Sequence, residues 1–257
     1  MLCASAYTAA DYTKSLTFLG KTYKWGYFPE TRKYEDIVEL IKNKKPMSLL
    51  WVGRIIDWKH PELSVMIAER LKKDGYSFEL NIIGTGDLEQ QLIKQIQSAG
   101  LSDCVHIMGS MKPDQVRDYM ERSQIFLFTS DRQEGWGAVL NEAMNSGCAV
   151  VASHEIGSVP FLLQNGHNGY IYKDGDIDDL YCKVKRLIDN KVERDQFGIN
   201  AYHTIIDHWN AQTAAMRLIE LSNYLLDGYK KHSPFTTGLC SDADVISDNW
   251  FKGKELS

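Results

Sequence analysis

The sequence predicts an α/β fold: a doubly wound, Rossmann-like parallel sheet followed by C-terminal helices. Two observations carry this. From Ser48 onward, short β-branched or aromatic runs alternate with longer amphipathic stretches, and proline and glycine punctuate the boundaries where helices start and stop. Repeated strand–helix alternation with short loops implies βαβ units and a parallel sheet covered on both faces. At 257 residues the chain is long enough to bury one full core, with room for a second small unit.

Each element follows from its own signals. Ser48 to Val52 reads as the first strand, and a helix runs from about Pro61 to Lys73. Phe78 to Ile83 is the next strand, with a helix over Leu88 to Ala99. Val105 to Met108 and Pro113 to Glu121 form the third strand and helix. Ile125 to Phe128, a helix holding Glu142, and Cys148 to Ala152 continue the alternation. Gly169 to Tyr172 adds a last strand before the helix Ile177 to Ile188. Pro61 and Pro113 sit near first turns, while Gly100 and Gly147 sit just past last turns. After Asn190 the pattern is wholly helical, through Val192 to His208 and Ala211 to Leu226.

Three segments result: residues 1–46, a sheet domain over 47–230 and an irregular tail over 231–257. The tail from His232 has Pro, Gly, Ser and Asp without period, as expected of a surface-wrapping or partly disordered segment. The first 46 residues are too short for another doubly wound domain, yet carry the aromatics Tyr23, Trp25, Tyr27 and Phe28. A short aromatic segment ahead of a complete domain suggests the remnant of something removed.

Composition narrows the function classes. A net charge of −5 argues against a general nucleic-acid binder, whose affinity rests on clustered Lys and Arg. No apolar run approaches the roughly 20 residues that span a bilayer. Met1 to Ala4 lacks the basic start and apolar core of a signal peptide. The five cysteines, Cys3, Cys104, Cys148, Cys182 and Cys240, show no CxxC spacing and fit a reducing cytosol. Cys104 and Cys148 lie in apolar runs as small core residues.

The stretch Ser130 to Met144 is the most informative. It follows an apolar strand, so it reads as strand end, loop and helix. Glu134 and Glu142 are separated by seven residues, one before the helix and one inside it, with Gly135 and Gly137 at the turn. Bare backbone, a helix N-terminus and two hydroxyl-binding carboxylates suit a ligand with both phosphates and sugars, a nucleotide-sugar. Ligands of open α/β sheets bind beyond the carboxyl ends of the strands. Those ends are Gly53-Arg54, Gly84-Thr85-Gly86, Gly109-Ser110 and Thr129-Ser130. Arg54 and Lys59 are either fixed charges for a diphosphate or surface residues pairing with Asp57 or Glu62.

Other motifs read as structure. Gly84-Thr85-Gly86 begins like a dinucleotide fingerprint, but Glu89 replaces the third glycine and the motif follows the second strand, which argues against NAD. Its alternative is a tight turn in which Asp87 caps the following helix. Asp174-Gly175-Asp176 precedes a helix, where acidic residues serve as caps, and Asp242-Ala243-Asp244 lies in the tail. Either D-x-D string could hold a metal-bound diphosphate, though neither needs to. The histidines are scattered, with His203 and His208 read as surface residues, and no nucleophilic triad or Walker A string is present.

Together these residues resemble the C-terminal, donor-binding half of GT-B-fold retaining glycosyltransferases of the glycosyl transferases group 1 family. Glu134-Gly135-Trp136-Gly137 followed by Glu142-Ala143-Met144 and Gly147 matches the family's E-x7-E element, and Gly53-Arg54 with Lys59 its phosphate-binding pair. Ile156 to Pro160, Asn165-Gly166 and Asn168-Gly169 match its loop and final strand. Tyr23 to Pro29 is similar to an interdomain crossover of bacterial polysaccharide-making members.

The resemblance implies catalytic roles for Glu134, Arg54 and Lys59, the last two neutralising the leaving diphosphate. It implies that Glu134 contacts the donor sugar with backbone from Gly135, Trp136, Gly137, Ala138 and Val139. Glu142 would hold the ribose, Gly109, Ser110 and Met111 would border the base, and Gly84 would line the cleft. A UDP- or GDP-sugar donor, a glycan or lipid-linked acceptor and retention without a bound metal or other cofactor are implied. So is a cytoplasmic protein, resting on the inner membrane through a missing N-terminal half, the isolated chain transferring nothing by itself. A donor-binding subunit completed by a separate acceptor-binding protein, or an epimerase or phosphorylase on the same fold, are the alternatives. Phe161 stands where members often carry glutamate, and His60 where many have glycine.

Overall fold

The computed structural model describes residues 1–228, 232–247 and 249–252, so the expectation for the tail over 231–257 lies partly outside the described residues. The chain opens with β1 (Leu2–Cys3), α1 (Thr8–Lys14), β2 (Tyr23–Lys24) and α2 (Ile37–Lys42). The alternation then runs β3 (Ser48–Val52), α3 (Pro61–Lys73), β4 (Glu79–Ile83), α4 (Glu89–Ser98), β5 (Val105–Ile107) and α5 (Pro113–Arg122). It continues through β6 (Ile125–Phe128), α6 (Ala138–Asn145), β7 (Ala149–Ser153), α7 (Val159–Leu162), β8 (Tyr170–Tyr172) and α8 (Ile177–Asp189). Two further helices follow, α9 (Lys191–His203) and α10 (Ala211–Leu226).

The six strands β3 to β8 form one parallel sheet in the order β5-β4-β3-β6-β7-β8. Period-two alternation divides the inner strands between two cores. Leu49 and Trp51 of β3 point into one cluster with Leu71 of α3, Leu92 of α4 and Leu180 of α8. Leu50, between them, joins the opposite cluster with Phe126, Val150 and helix residues Met120, Leu140 and Met144. The sheet is therefore covered on both faces.

Helix boundaries follow the expected chemistry with three exceptions. Pro61 and Pro113 each open a helix, Gly100 and Gly147 end theirs in the left-handed region, and the Asp176 carboxylate caps α8 by accepting from the Asp179 amide at 3.0 Å. Asp87 does not cap α4: Leu88 holds the cap position without a side-chain hydrogen bond, and its amide donates to the Ile55 carbonyl at 3.0 Å instead. The helix predicted over Val192 to His208 breaks at His203 into a π turn over Thr204–His208. There the Thr204 hydroxyl bonds back to the Asn200 carbonyl at 2.8 Å while accepting from Asn168 at 2.9 Å, a side-chain competition that loosens the regular ladder. The four-residue α7 has no periodicity to read and went unpredicted.

Residues 1–24 form a small βαβ unit, with β1 and β2 parallel. The tail joins it: Cys240 donates to the Lys24 carbonyl at 2.8 Å, Ala243 to Thr22 at 2.9 Å, and Leu239, Cys240 and Ser241 are buried.

A buried lysine ties the C-terminal ends of α5 and α6 together. Lys44, just after α2, is buried, and its ammonium donates to the Met120 and Ser146 carbonyls at 2.8 Å and to Glu121 at 3.1 Å. These carbonyls lie at the C-terminal ends of both helices, where a cation also meets the favourable end of the helix dipole. Replacing Lys44 by Met leaves the Glu121 and Ser146 carbonyls without a donor and is expected to cost about 3 kcal/mol in urea denaturation. Lys42→Met on the exposed face should stay within about 0.5 kcal/mol of the parent, and equal effects of the two would contradict this assignment.

Candidate functional site

The strand order reverses between β3 and β6: the chain steps outward through β4 and β5, then returns to β6 beside β3. Crevices of doubly wound sheets open at this switch point, above the carboxyl ends of the strands. Here it holds a cleft of about 580 Å³. Val52, Gly53 and Lys59 line it from the β3 side, Met111, Pro113 and Val116 from α5 and the loop before it, and residues 134–139 with Glu142 from the β6 side. Tyr27 closes it from the segment between β2 and α2.

The loop after β6 is shaped by Gly137, whose φ is +73°. A Cβ there would lie 2.3 Å from the Phe128 ring and 3.2 Å from the Glu134 carboxyl carbon, so only glycine fits. The turn starts α6 without a side-chain cap, and the amides of Gly135 to Val139 donate to no protein acceptor among the described residues. Unpaired amides at a helix N-terminus, with the dipole behind them, form an anion site. Trp136 anchors the loop from below. It is buried, its indole N–H donates to Asn141 Oδ1 at 2.8 Å, and its ring lies 5.9 Å from Trp209 and 6.3 Å from Phe161.

Two carboxylates and one ammonium face this anion site. Glu134, 8% exposed, forms an ion pair with Lys59 and accepts from the Ser130 hydroxyl at 3.3 Å. Burial first, then the neighbouring Arg54 charge, pulls the Lys59 ammonium down to about 8. Its ring neighbour is Trp58, with the ammonium 4.3 Å from the centroid. The Glu142 carboxylate on α6 has no hydrogen-bond partner among the described residues; burial raises its pKa, and the Arg117 charge opposes that shift.

The structure brings Gly53, Lys59, Met111, Glu134, Gly135, Trp136, Gly137, Ala138, Val139 and Glu142 to one cleft, and leaves four predicted site residues outside its lining. Arg54 is exposed, its guanidinium 5.9 Å from the Trp58 ring. Gly84 is committed to loop packing: its amide donates to the Gly109 carbonyl at 2.9 Å, and a Cβ would lie 1.8 Å from the Gly53 carbonyl oxygen. Gly109 turns there with φ +69°, and Ser110 faces solvent. The surface alternative for Lys59 is also displaced, since its ion-pair partner is Glu134 rather than Asp57 or Glu62. Sequence reasoning missed Tyr27, Val52, Pro113 and Val116 as lining; the aromatic cluster around Tyr27 was the one signal available.

His60 explains its own departure from glycine. Its backbone is left-handed, φ +48°, which glycine adopts freely and histidine does not. The ring compensates by contacting Glu62 at 2.9 Å and Asp131 at 3.5 Å.

An α/β domain with a helix N-terminus, a cation and two carboxylates at its switch point is the class of protein that the fold and cleft define, and comparisons with known proteins give its family. The chain belongs to the glycosyl transferases group 1 family, whose profile matches residues 33–204. The amylovoran biosynthesis glycosyltransferase AmsK of Erwinia amylovora is 30% identical over 182 residues, 69% of this chain and 44% of that protein. The chain therefore spans less than half the length of this relative. Among solved structures, Staphylococcus aureus TarM in complex with fondaparinux, alpha-GlcNAc-glycerol and UDP aligns with a TM-score of 0.73 at 21% identity, over 86% of this chain and 43% of that one. Anabaena Alr3699/HepE in complex with UDP and glucose aligns with a TM-score of 0.70 at 19% identity, over 87% and 63%. The fold is that of GT-B glycosyltransferases.

The His60 geometry makes a stability prediction. Burial opposes the charged ring, but Glu62, Asp174 and Asp131 together raise it above its ordinary value. A raised folded-state value means stabilisation that is complete below the unfolded value of about 6.5 and is lost as pH rises through the folded value. His60→Gly removes both this contribution and the backbone strain. The parent should therefore gain stability relative to the variant between pH 8.5 and pH 5.5 in thermal unfolding; a gap independent of pH would contradict it.

Proposed function

We propose that this chain is the donor-binding half of a glycosyltransferase that moves a hexose-type sugar from a nucleotide-sugar, with retention, to a glycan or lipid-linked acceptor. The observation that carries this reading is the cleft where five unpaired amides of the Gly137 turn meet the Lys59–Glu134 pair and the unpartnered Glu142. UDP is the favoured nucleotide, because the TarM and HepE structures with this fold contain it. The acceptor site would come from protein outside this chain. No described helix is long and apolar enough to cross a membrane.

In the proposed complex the diphosphate sits on the amides of Gly137 to Val139. When the bond between the anomeric carbon and the diphosphate breaks, negative charge grows on the departing oxygen. Lys59, with Arg54 swung inward from solvent, neutralises it beside the helix N-terminus, which are the terms that most lower such a barrier. Metal coordination is not required of any residue in this scheme. Lys59 turning to the phosphate frees the Glu134 carboxylate to accept from the sugar hydroxyls. Glu142 accepts from the ribose hydroxyls.

Two variants separate these roles by calorimetry with UDP and with pyrophosphate. Lys59→Ala should weaken both ligands at least about tenfold, whereas Glu142→Ala should weaken UDP about tenfold and leave pyrophosphate unchanged. No heat from UDP, GDP or ADP at millimolar concentration with the folded parent would refute donor binding.

The acidity of Lys59 adds a pH test. Its ammonium loses the proton as pH rises through about 8, so the parent's affinity for UDP should fall between pH 7 and pH 9. Lys59→Arg, which stays charged throughout, should flatten that fall; equal slopes would contradict the Lys59 assignment.

A further inference from the structure

The aromatic stretch Tyr23 to Pro29 holds a residue that the proposed chemistry leaves without a task. Gly26 packs directly on Trp136, where an added Cβ would lie 2.4 Å from the indole. On either side of the Gly26-Tyr27 pair, Trp25 and Phe28 turn inward, meet edge to face at 5.1 Å and pack against the core that contains Trp136. Tyr27 is left pointing outward between two inward rings, 59% exposed. It does not stand on open surface: it lines the cleft, with its ring 6.2 Å from that of Trp136 and tilted by 42°. Its hydroxyl has no hydrogen-bond partner among the described residues.

The backbone carrying Tyr27 is held in place further along. The Arg32 amide donates to Asn145 Oδ1 at 2.8 Å, and Asn145 Nδ2 donates back to the Arg32 carbonyl at 3.1 Å. Arg117 of α5 donates to the same Asn145 oxygen at 2.6 Å and to the Glu30 carbonyl at 3.3 Å. The segment is thereby pinned to α5 and α6, the two helices that flank the cleft. A fixed backbone presenting an aromatic ring with a free face, beside an anion site, suits a flat ring attached to a phosphate.

We propose that Tyr27 stacks on a flat ring face of the bound donor, so that the segment before α2 is a fourth wall of the cleft; this rests on the donor-binding reading above. The face is the π-face of the base or the C–H face of the sugar, and the ligand series tells them apart. Nothing covalent is required of the ring, and its exposure makes substitution harmless to the fold.

Calorimetry with UDP-glucose, UDP and pyrophosphate on the parent, Tyr27→Ala and Tyr27→Phe tests this, with thermal unfolding of each. Tyr27→Ala should bind UDP-glucose about tenfold more weakly, as expected for the loss of one stacking ring, with pyrophosphate binding and Tm unchanged. Tyr27→Phe should stay within about twofold of the parent, since it keeps the ring. A loss shared by UDP places the ring on the nucleoside; a loss confined to UDP-glucose places it on the sugar. Undiminished binding of both nucleotides by Tyr27→Ala, an equal loss for pyrophosphate, or a Tyr27→Phe variant as weak as Tyr27→Ala would each overturn the proposal. A parent that binds pyrophosphate but neither nucleotide refutes the donor reading itself, and stacking with it.

Discussion

The left-handed turn at Gly137 is the constraint on which the rest of the site depends. With φ at +73° and no room for a Cβ between the Phe128 ring and the Glu134 carboxyl, the chain turns at Gly137 straight into α6. One backbone conformation has three consequences. It leaves a run of amides unpaired at the start of α6, it tucks Glu134 against Lys59, and it sets the helix phase that presents Glu142 one turn later. An anion site and two hydroxyl acceptors thus come from a single loop.

That loop would be useless without a rigid frame on both sides. On the β3 side, the loops after β3 and β4 interdigitate so closely that Gly84 and Gly86 lie against the carbonyls of Gly53 and Ile55, at 1.8 Å and 2.3 Å from a would-be Cβ. This fixes the backbone that leads to Lys59. Behind α6, Lys44 binds the C-terminal carbonyls of α5 and α6, while Asn145 and Arg117 fasten the segment around Arg32 to the same helices. Buried polar groups of this kind are costly unless every partner is present, which makes them specific for one arrangement. The helices that flank the cleft are therefore held near their C-terminal ends.

Most of the fold was legible because its signals are local. Alternating apolar runs mark β3 through β8, and Pro61, Pro113, Gly100 and Gly147 mark helix ends through their own backbone preferences. The Glu134 and Glu142 spacing was legible for the same reason, as a loop and one helical turn. What was not legible depends on partners distant in the chain. Lys59 meets Glu134, 75 positions away, and not the nearby Asp57 or Glu62. Asp87 has no capping role because Leu88 takes the cap position, its amide bonded to the distant Ile55 carbonyl, and the Glu89 amide donates to Gly86. Gly84 looks like a ligand-facing glycine, yet its lack of a side chain serves the neighbouring loop. Tyr27 stood in a visible aromatic cluster, but no periodicity encodes the path that brings it over the cleft.

The central claim is that the turn at Gly137 binds the diphosphate of a nucleotide through its backbone. An amide-resolved NMR titration with UDP tests this most directly. The account predicts that the largest saturable shifts fall on the amides of Gly135 to Val139, with smaller ones at Gly53 and Lys59. Saturable binding that leaves those five amides unmoved and shifts another helix start, such as that of α8, would contradict it.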